Sequence, residues 1–400
     1  MQKIKLSAIF SLLAITIIAA FLGPLYQSTH SATHTYQSNQ SNRPNANVVD
    51  LPQPNPAQGL IADPSTNQLY IPPRHLPGRA PQTASITVNW NPSSCSADVS
   101  PWPADAQAAF AFAVDIWESV IVSTIPIEVD ACWRPLGTNV LGAAGTTSIR
   151  RNFSGAPVPN TWYPVALANE ATQSDLNGNE AEIIAHFSSQ FTNWYFGTDG
   201  QPGPSQYDFV TVVVHEIAHG LGFAGSMSVM SGTGQYGYSG LPTAFDRFAE
   251  NGGGVALVGG FPNGSGSLAA QLTGNNIYFD APAVRDANGG TPAELHAPAS
   301  WVQGTSFSHL DDSFDNSNNA LMTHSISNGE AIHDPGTVTL ALLSDMGWET
   351  SVFVQPVPLT PTPTPTQNPN SPTPEPSATP TVPGVDDVGE YEIYFPLVVR

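Results

Sequence analysis

The stretch Tyr207-Asp208-Phe209-Val210-Thr211-Val212-Val213-Val214-His215-Glu216-Ile217-Ala218-His219-Gly220-Leu221-Gly222-Phe223 reads as a buried helix, because its apolar residues leave no wholly polar face. His215 and His219 stand four apart, so their rings rise one above the other on one side of that helix. Two imidazoles inside a buried helix need polar partners, and a single shared metal ion satisfies both. At this spacing both rings can reach one Zn²⁺ at about 2.0–2.1 Å. Glu216 follows about 100° further round the helix, near enough to a reacting water to act as general base without being a ligand.

Working outward, residues 86–90 (Ile-Thr-Val-Asn-Trp) read as a strand, and 103–122 as a helix with Phe110, Val114, Trp117 and Ile121 on its apolar face. Residues 125–130 alternate like a strand that starts at a proline, and 182–187 read as another. Strands interleaved with long helices predict an α/β (α+β) architecture with a mixed sheet. A helix is predicted over 243–250. Residues 225–304 are Gly-rich and predict an irregular lower lobe or a long loop region. The segment 334–348 predicts a closing helix with Asp334 as N-cap, Pro335 in its first turn and Gly347 just past its end.

A catalytic zinc takes three protein ligands and keeps one open position. The short pattern His-Glu-x-x-His-x-x-Gly-x-x-His is matched here as far as Gly222, but Gly225 stands where the third histidine belongs. Downstream come Ser306-Phe307-Ser308-His309-Leu310-Asp311 and Asn319-Ala320-Leu321-Met322-Thr323. A His-Glu-x-x-His-Gly-Leu-Gly-Phe segment, a long insertion, Ser-His-Leu-Asp and then Leu-Met-Thr together resemble the leishmanolysin type of metzincin peptidase. The resemblance implies a metzincin-like mixed twisted sheet with an active-site helix, His309 as third zinc ligand, Met322 as the methionine of the turn beneath the metal, and protein or peptide substrates. It runs loosely over 86–348 and sharply over three short segments. It departs where Thr323 is followed by His324 rather than by a small residue and proline, which leaves His324 as a competitor for the metal. Asp246 and Glu250 are rival carboxylate ligands, and His186, His296 and His333 further options. Asp175-Leu176-Asn177-Gly178-Asn179-Glu180 has oxygen ligands around a glycine, either part of a Ca²⁺ loop or an ordinary polar turn.

The ends of the chain bear on location. Lys3 and Lys5 precede an apolar run over 6–22, the order of a secretory signal peptide, placed at 1–30, with a retained membrane anchor as the alternative because the run borders on spanning length. Residues 31–82, rich in Ser, Asn, Pro and Gln, read as a flexible spacer or a pro-segment, and 83–350 as the zinc peptidase domain. Residues 351–387 are a Pro/Thr-rich linker of extended character. Residues 388–400 form a short tail, read either as a sorting or cell-surface attachment motif or as a frayed end. With the signal removed, nothing left is long and apolar enough to span a bilayer. Cys95 and Cys132 read as one disulfide in an exported protein, with two buried free thiols as the alternative. Charged residues make up only 11% of the chain, and 32 acidic against 11 basic residues leave a net charge of −21, which excludes nucleic acid and anionic surfaces as partners. Together these features predict a secreted or cell-surface zinc endopeptidase. One alternative is a surface-displayed adhesin or binding module in which zinc is structural or absent, and another is a zinc hydrolase acting on a non-peptide amide.

Overall fold

The computed structural model describes residues 47–54, 59–75 and 82–351. The expected signal peptide, and the linker and tail from residue 352 onward, lie outside the described residues. The elements that position the site are, in chain order, β1 (Val48–Asp50), β2 (Leu60–Thr66), β3 (Ile86–Trp90), α1 (Ala104–Glu118), β4 (Ile127–Arg134), β5 (Val140–Thr146), β6 (Ser148–Arg150), β7 (Ile183–Ser188), α2 (Phe209–Leu221), β8 (Ala249–Asn251), β9 (Ile277–Phe279), β10 (Ala293–Leu295), β11 (Ser325–Asn328) and α3 (Thr337–Met346).

Six strands form the main sheet in the order β11-β2-β5-β7-β4-β3. β3, β4 and β7 run parallel, whereas β5 runs antiparallel to both β7 and β2. The architecture is therefore mixed α/β. Every residue of β7 is buried, as expected of a strand covered on both faces. On one face Ile183, Ala185 and Phe187 join the main core, while Ile184 packs with Cys95 and Cys132 on the other. Those two cysteines are bonded, their Cα atoms 5.7 Å apart, so the disulfide alternative holds.

α2 packs on β5 and β7 and against α1. Gly220 permits this approach, since a Cβ there would lie 2.4 Å from Ile183 Cγ2. The first turn of α2 is anchored by Phe209, whose ring meets those of Phe187, Trp194 and Phe196 at 5.4, 5.1 and 5.3 Å between centroids. At its other end, the Trp348 indole N–H donates to Leu221 O at 2.9 Å.

Several expectations change. Residues 59–66 are no flexible spacer: β2 pairs with β5 and β11, and Leu60 and Ala62 are buried in the core. Prolines break the run 51–73 into pieces too short for alternation to show. Residues 225–304 are not irregular either, because β8, β9 and β10 make a three-stranded antiparallel sheet there. Its strands have three residues each, below the length at which periodicity can be read. The helix expected over 243–250 is only a 3₁₀ turn, Phe245–Phe248, that runs straight into β8. The final helix begins after Gly336 rather than at Asp334, whose carboxylate instead accepts from Gly336 N and pairs with Arg74 at 2.9 Å. Asp175 binds its own backbone, accepting from the amides of Asn177 and Gly178 at 2.9 and 2.7 Å, which is the polar-turn alternative to a Ca²⁺ loop.

Candidate metal centre

The helix carrying the His-Glu-x-x-His run is fixed at both ends. Asp208 caps it, accepting from Thr211 N at 2.8 Å and Thr211 Oγ1 at 2.7 Å. His333 Nε2 meets the same carboxylate oxygen at 2.8 Å, so this rival ligand belongs to the helix cap. Gly222 ends the helix with φ of +119°, a left-handed conformation that glycine adopts freely. That turn brings Phe223 O to His219, which binds it through Nδ1 at 2.7 Å.

Each of the three histidines is oriented in the same way. His215 Nδ1 meets Leu321 O at 2.7 Å, His219 Nδ1 meets Phe223 O, and His309 Nδ1 meets Thr305 O at 2.8 Å. A carbonyl only accepts, so each Nδ1 carries the hydrogen and each Nε2 is left with a bare lone pair. The three Nε2 atoms converge: His219 lies 3.0 Å from His215 and 3.3 Å from His309. Nitrogens bound to one tetrahedral ion at 2.0–2.1 Å stand ~3.3 Å apart, so the donor set fits a zinc-sized cation. Lone pairs facing one another this closely repel unless a cation lies between them. Burial holds all three imidazoles below their usual range, His219 at about 4, which leaves them neutral and able to ligate.

His309 reaches the helix from a separate segment. Leu310 N donates to Met322 O at 2.8 Å and His296 N to His309 O at 2.9 Å, which clamps the segment between two neighbours. Phe307, two residues earlier, has φ of +75°, a left-handed conformation that costs an aromatic residue about 1–3 kcal/mol. Its buried ring explains Gly225: a Cβ at that position would stand 2.0 Å from Phe307 Cε1. The segment bearing His309 has taken the space that a third histidine of the short pattern would need. Met322 is fully buried at the end of a 3₁₀ turn, Ala320–Met322. The carbonyls of Leu321 and Met322 bind His215 and the segment of His309 respectively.

The carboxylate rivals are engaged elsewhere. Asp246 is buried and accepts from Ser226 N and Thr243 N, each at 2.8 Å, and from the Ser226 hydroxyl. Glu250 lies in β8 beside Asp280 and Arg285. His186 is buried in β7, and His324 sits with His296 and Asp312 in a separate cluster.

Glu216 is fully buried, yet it lines a cleft of about 240 Å³ together with His219. The amides of Leu60 and Ala144 face its carboxylate without closing a normal hydrogen bond, so they offset burial only in part. Burial pushes its pKa up to about 8, suited to a group that exchanges protons near neutrality. Gly142 of β5 makes the room, since a Cβ there would lie 2.8 Å from both Glu216 Cγ and Oε1. Leu51, Pro52 and Pro54 form part of the cleft wall. Neither Gly142 nor this proline-rich segment carries a local sequence signal that would have marked it.

A protein-family model described as SPBPB7E8-like matches residues 160–236, a span that includes all of α2. No curated protein matches the chain. No helix among the described residues is long and apolar enough to cross a membrane.

Proposed function

We propose that this chain is a secreted zinc-dependent endopeptidase of the leishmanolysin-like metzincin type. The observation that carries the reading is the convergence of three carbonyl-anchored histidines, His215, His219 and His309, beside a buried carboxylate that opens on a cleft. These three imidazoles would hold the ion, and zinc there would supply Lewis acidity toward a carbonyl and a water. Glu216 accepts the proton of the attacking water at its carboxylate and returns it to the leaving amine nitrogen, so no covalent intermediate with the chain is needed. Met322 and Leu321 hold the ligand segments through their backbone carbonyls and are positioning residues. Ala143, Ala144, Gly145 and Thr146 of β5 line the cleft. Among the described residues, β2 pairs with β5 only as far as Gly142 and residues 51–54 lie beside the remaining edge, where an extended peptide would add in their place. The Cys95–Cys132 disulfide supports export into an oxidising compartment.

The test is digestion of an unfolded protein such as casein, with and without chelator, beside Glu216→Gln. The variant should keep one zinc ion per chain and lose at least about a hundredfold in rate, in line with removal of a general base. Cleavage by the variant at the parental rate would refute the mechanism. A parental chain that holds zinc and cleaves nothing would favour a binding module instead.

A further inference from the structure

We propose a second divalent-metal site, built by His296, Asp312 and His324. His324 Nδ1 lies 3.0 Å and His296 Nδ1 3.6 Å from the same atom, Asp312 Oδ1. All three donor atoms fall within 4.8 Å of one another. The two nitrogen–oxygen distances bracket the ~3.3 Å expected between donors around one four-coordinate ion. The two imidazole rings lie side by side, with centroids 4.1 Å apart and planes inclined by 24°.

An ordinary ion pair accounts for this arrangement poorly. His324 Nδ1 is buried and makes no hydrogen bond, although the Asp312 oxygen is 3.0 Å away, because that oxygen lies off the line its N–H would take. A protonated His324 would also stack its charge on His296. A shared cation removes both difficulties, since ligation uses the nitrogen lone pairs and neutralises the carboxylate. Two nitrogens and one oxygen suit borderline ions such as Zn²⁺, Co²⁺ or Ni²⁺. Asp312 is 56% exposed, which leaves one side of the site open to water and exchange.

The backbone brings the three residues together independently of any ion. Leu295 and Thr323 both bridge to Leu310, so His296, the segment of His309 and His324 follow three neighbouring stretches of chain. Asp312 opens the 3₁₀ turn that follows that segment. An ion here clips β10 to the loop carrying His309, and so stabilises the third ligand of the first centre.

The experiment measures zinc and cobalt bound per full chain, by competition with a chromophoric chelator at submicromolar free metal, for five proteins. The parent should bind two ions. His324→Phe and Asp312→Asn should bind one, with the second affinity lowered at least about tenfold. His309→Phe should lose the other ion and keep this one, so failure of the first centre is told apart from failure of the second. His296→Phe should match His324→Phe and lose the upward shift in melting temperature that the second ion gives the parent. A parent that binds one ion, or a His324→Phe chain that still binds two, overturns the site. Asp312 is largely exposed, so its variant tests the proposal even if a histidine variant misfolds.

Discussion

The Phe307 ring occupies the volume that any side chain at position 225 would have to enter, with 2.0 Å between the ring and a Cβ placed on Gly225. The short form of the histidine pattern and the long form found here are thus sterically exclusive, and the exclusion is directly testable. Gly225→His should not supply a ligand. It should displace Phe307, disturb His309 and lower both zinc occupancy and stability, the latter by about 1–3 kcal/mol as for an overpacked core. The double variant Gly225→His with His309→Ala should therefore bind no more zinc than His309→Ala alone. Metal analysis of the purified proteins decides it, and restored zinc in the double variant would contradict the steric argument.

Gly142→Ala tests how Glu216, the proposed general base, is housed. The added methyl would meet Glu216 at 2.8 Å, a distance that forces one partner to move. Gly142 lies in β5 and the histidines are held by other carbonyls, so zinc should stay bound while kcat falls by roughly ten- to a hundredfold, the order expected when a catalytic group is misplaced by less than an ångström. Loss of zinc in this variant would show that the methyl disturbs the ligands instead.

A pH effect should come from His186. It is buried in β7 with neither ring nitrogen hydrogen-bonded, and burial, helped by the nearby Arg134, pushes its pKa down to about 4 from the usual 6.5. Between those values the unfolded chain binds a proton that the folded chain refuses. Stability from this group is intact above pH 6.5 and falls as the pH is lowered toward 4, by up to about 3 kcal/mol. His186→Leu removes this dependence, so its stability advantage over the parent should widen steadily through that window in urea titrations. A constant difference from pH 7 to pH 4 would show that His186 does not titrate as described.

α2, observed over Phe209–Leu221 within the stretch 207–223, was legible because its apolar pattern and histidine spacing are local properties of one element. The same holds for β3, whose bounds match residues 86–90 as read from alternation. The third histidine was not legible from spacing. It lies ninety positions beyond His219, and only contacts such as Phe307 against Gly225 bring it there. β2 was missed because Pro64 and the neighbouring prolines mask a strand whose partners, β5 and β11, are distant in sequence. The carbonyls that fix the histidine tautomers carry no side-chain signal at all, since any residue supplies one.

The last expectation concerns the segment before β2. β1 pairs antiparallel with β6, Leu51 N donates to Thr147 O at 2.8 Å, and Leu51, Pro52 and Pro54 line the cleft beside Glu216. This segment therefore lies beside the β5 edge on which an extended substrate would add. Leu51→Pro deletes the one N–H that ties it to Thr147 and leaves β2 and the histidines untouched. KM for a long peptide should fall about two- to tenfold, the equivalent of one backbone hydrogen bond, while kcat stays level. A peptide too short to reach past Glu216 should show no change in either constant. Steady-state kinetics on a short and a long fluorogenic peptide separate these outcomes. A rise in KM for the long peptide would mean that the segment forms a wall of the substrate site instead of competing for it.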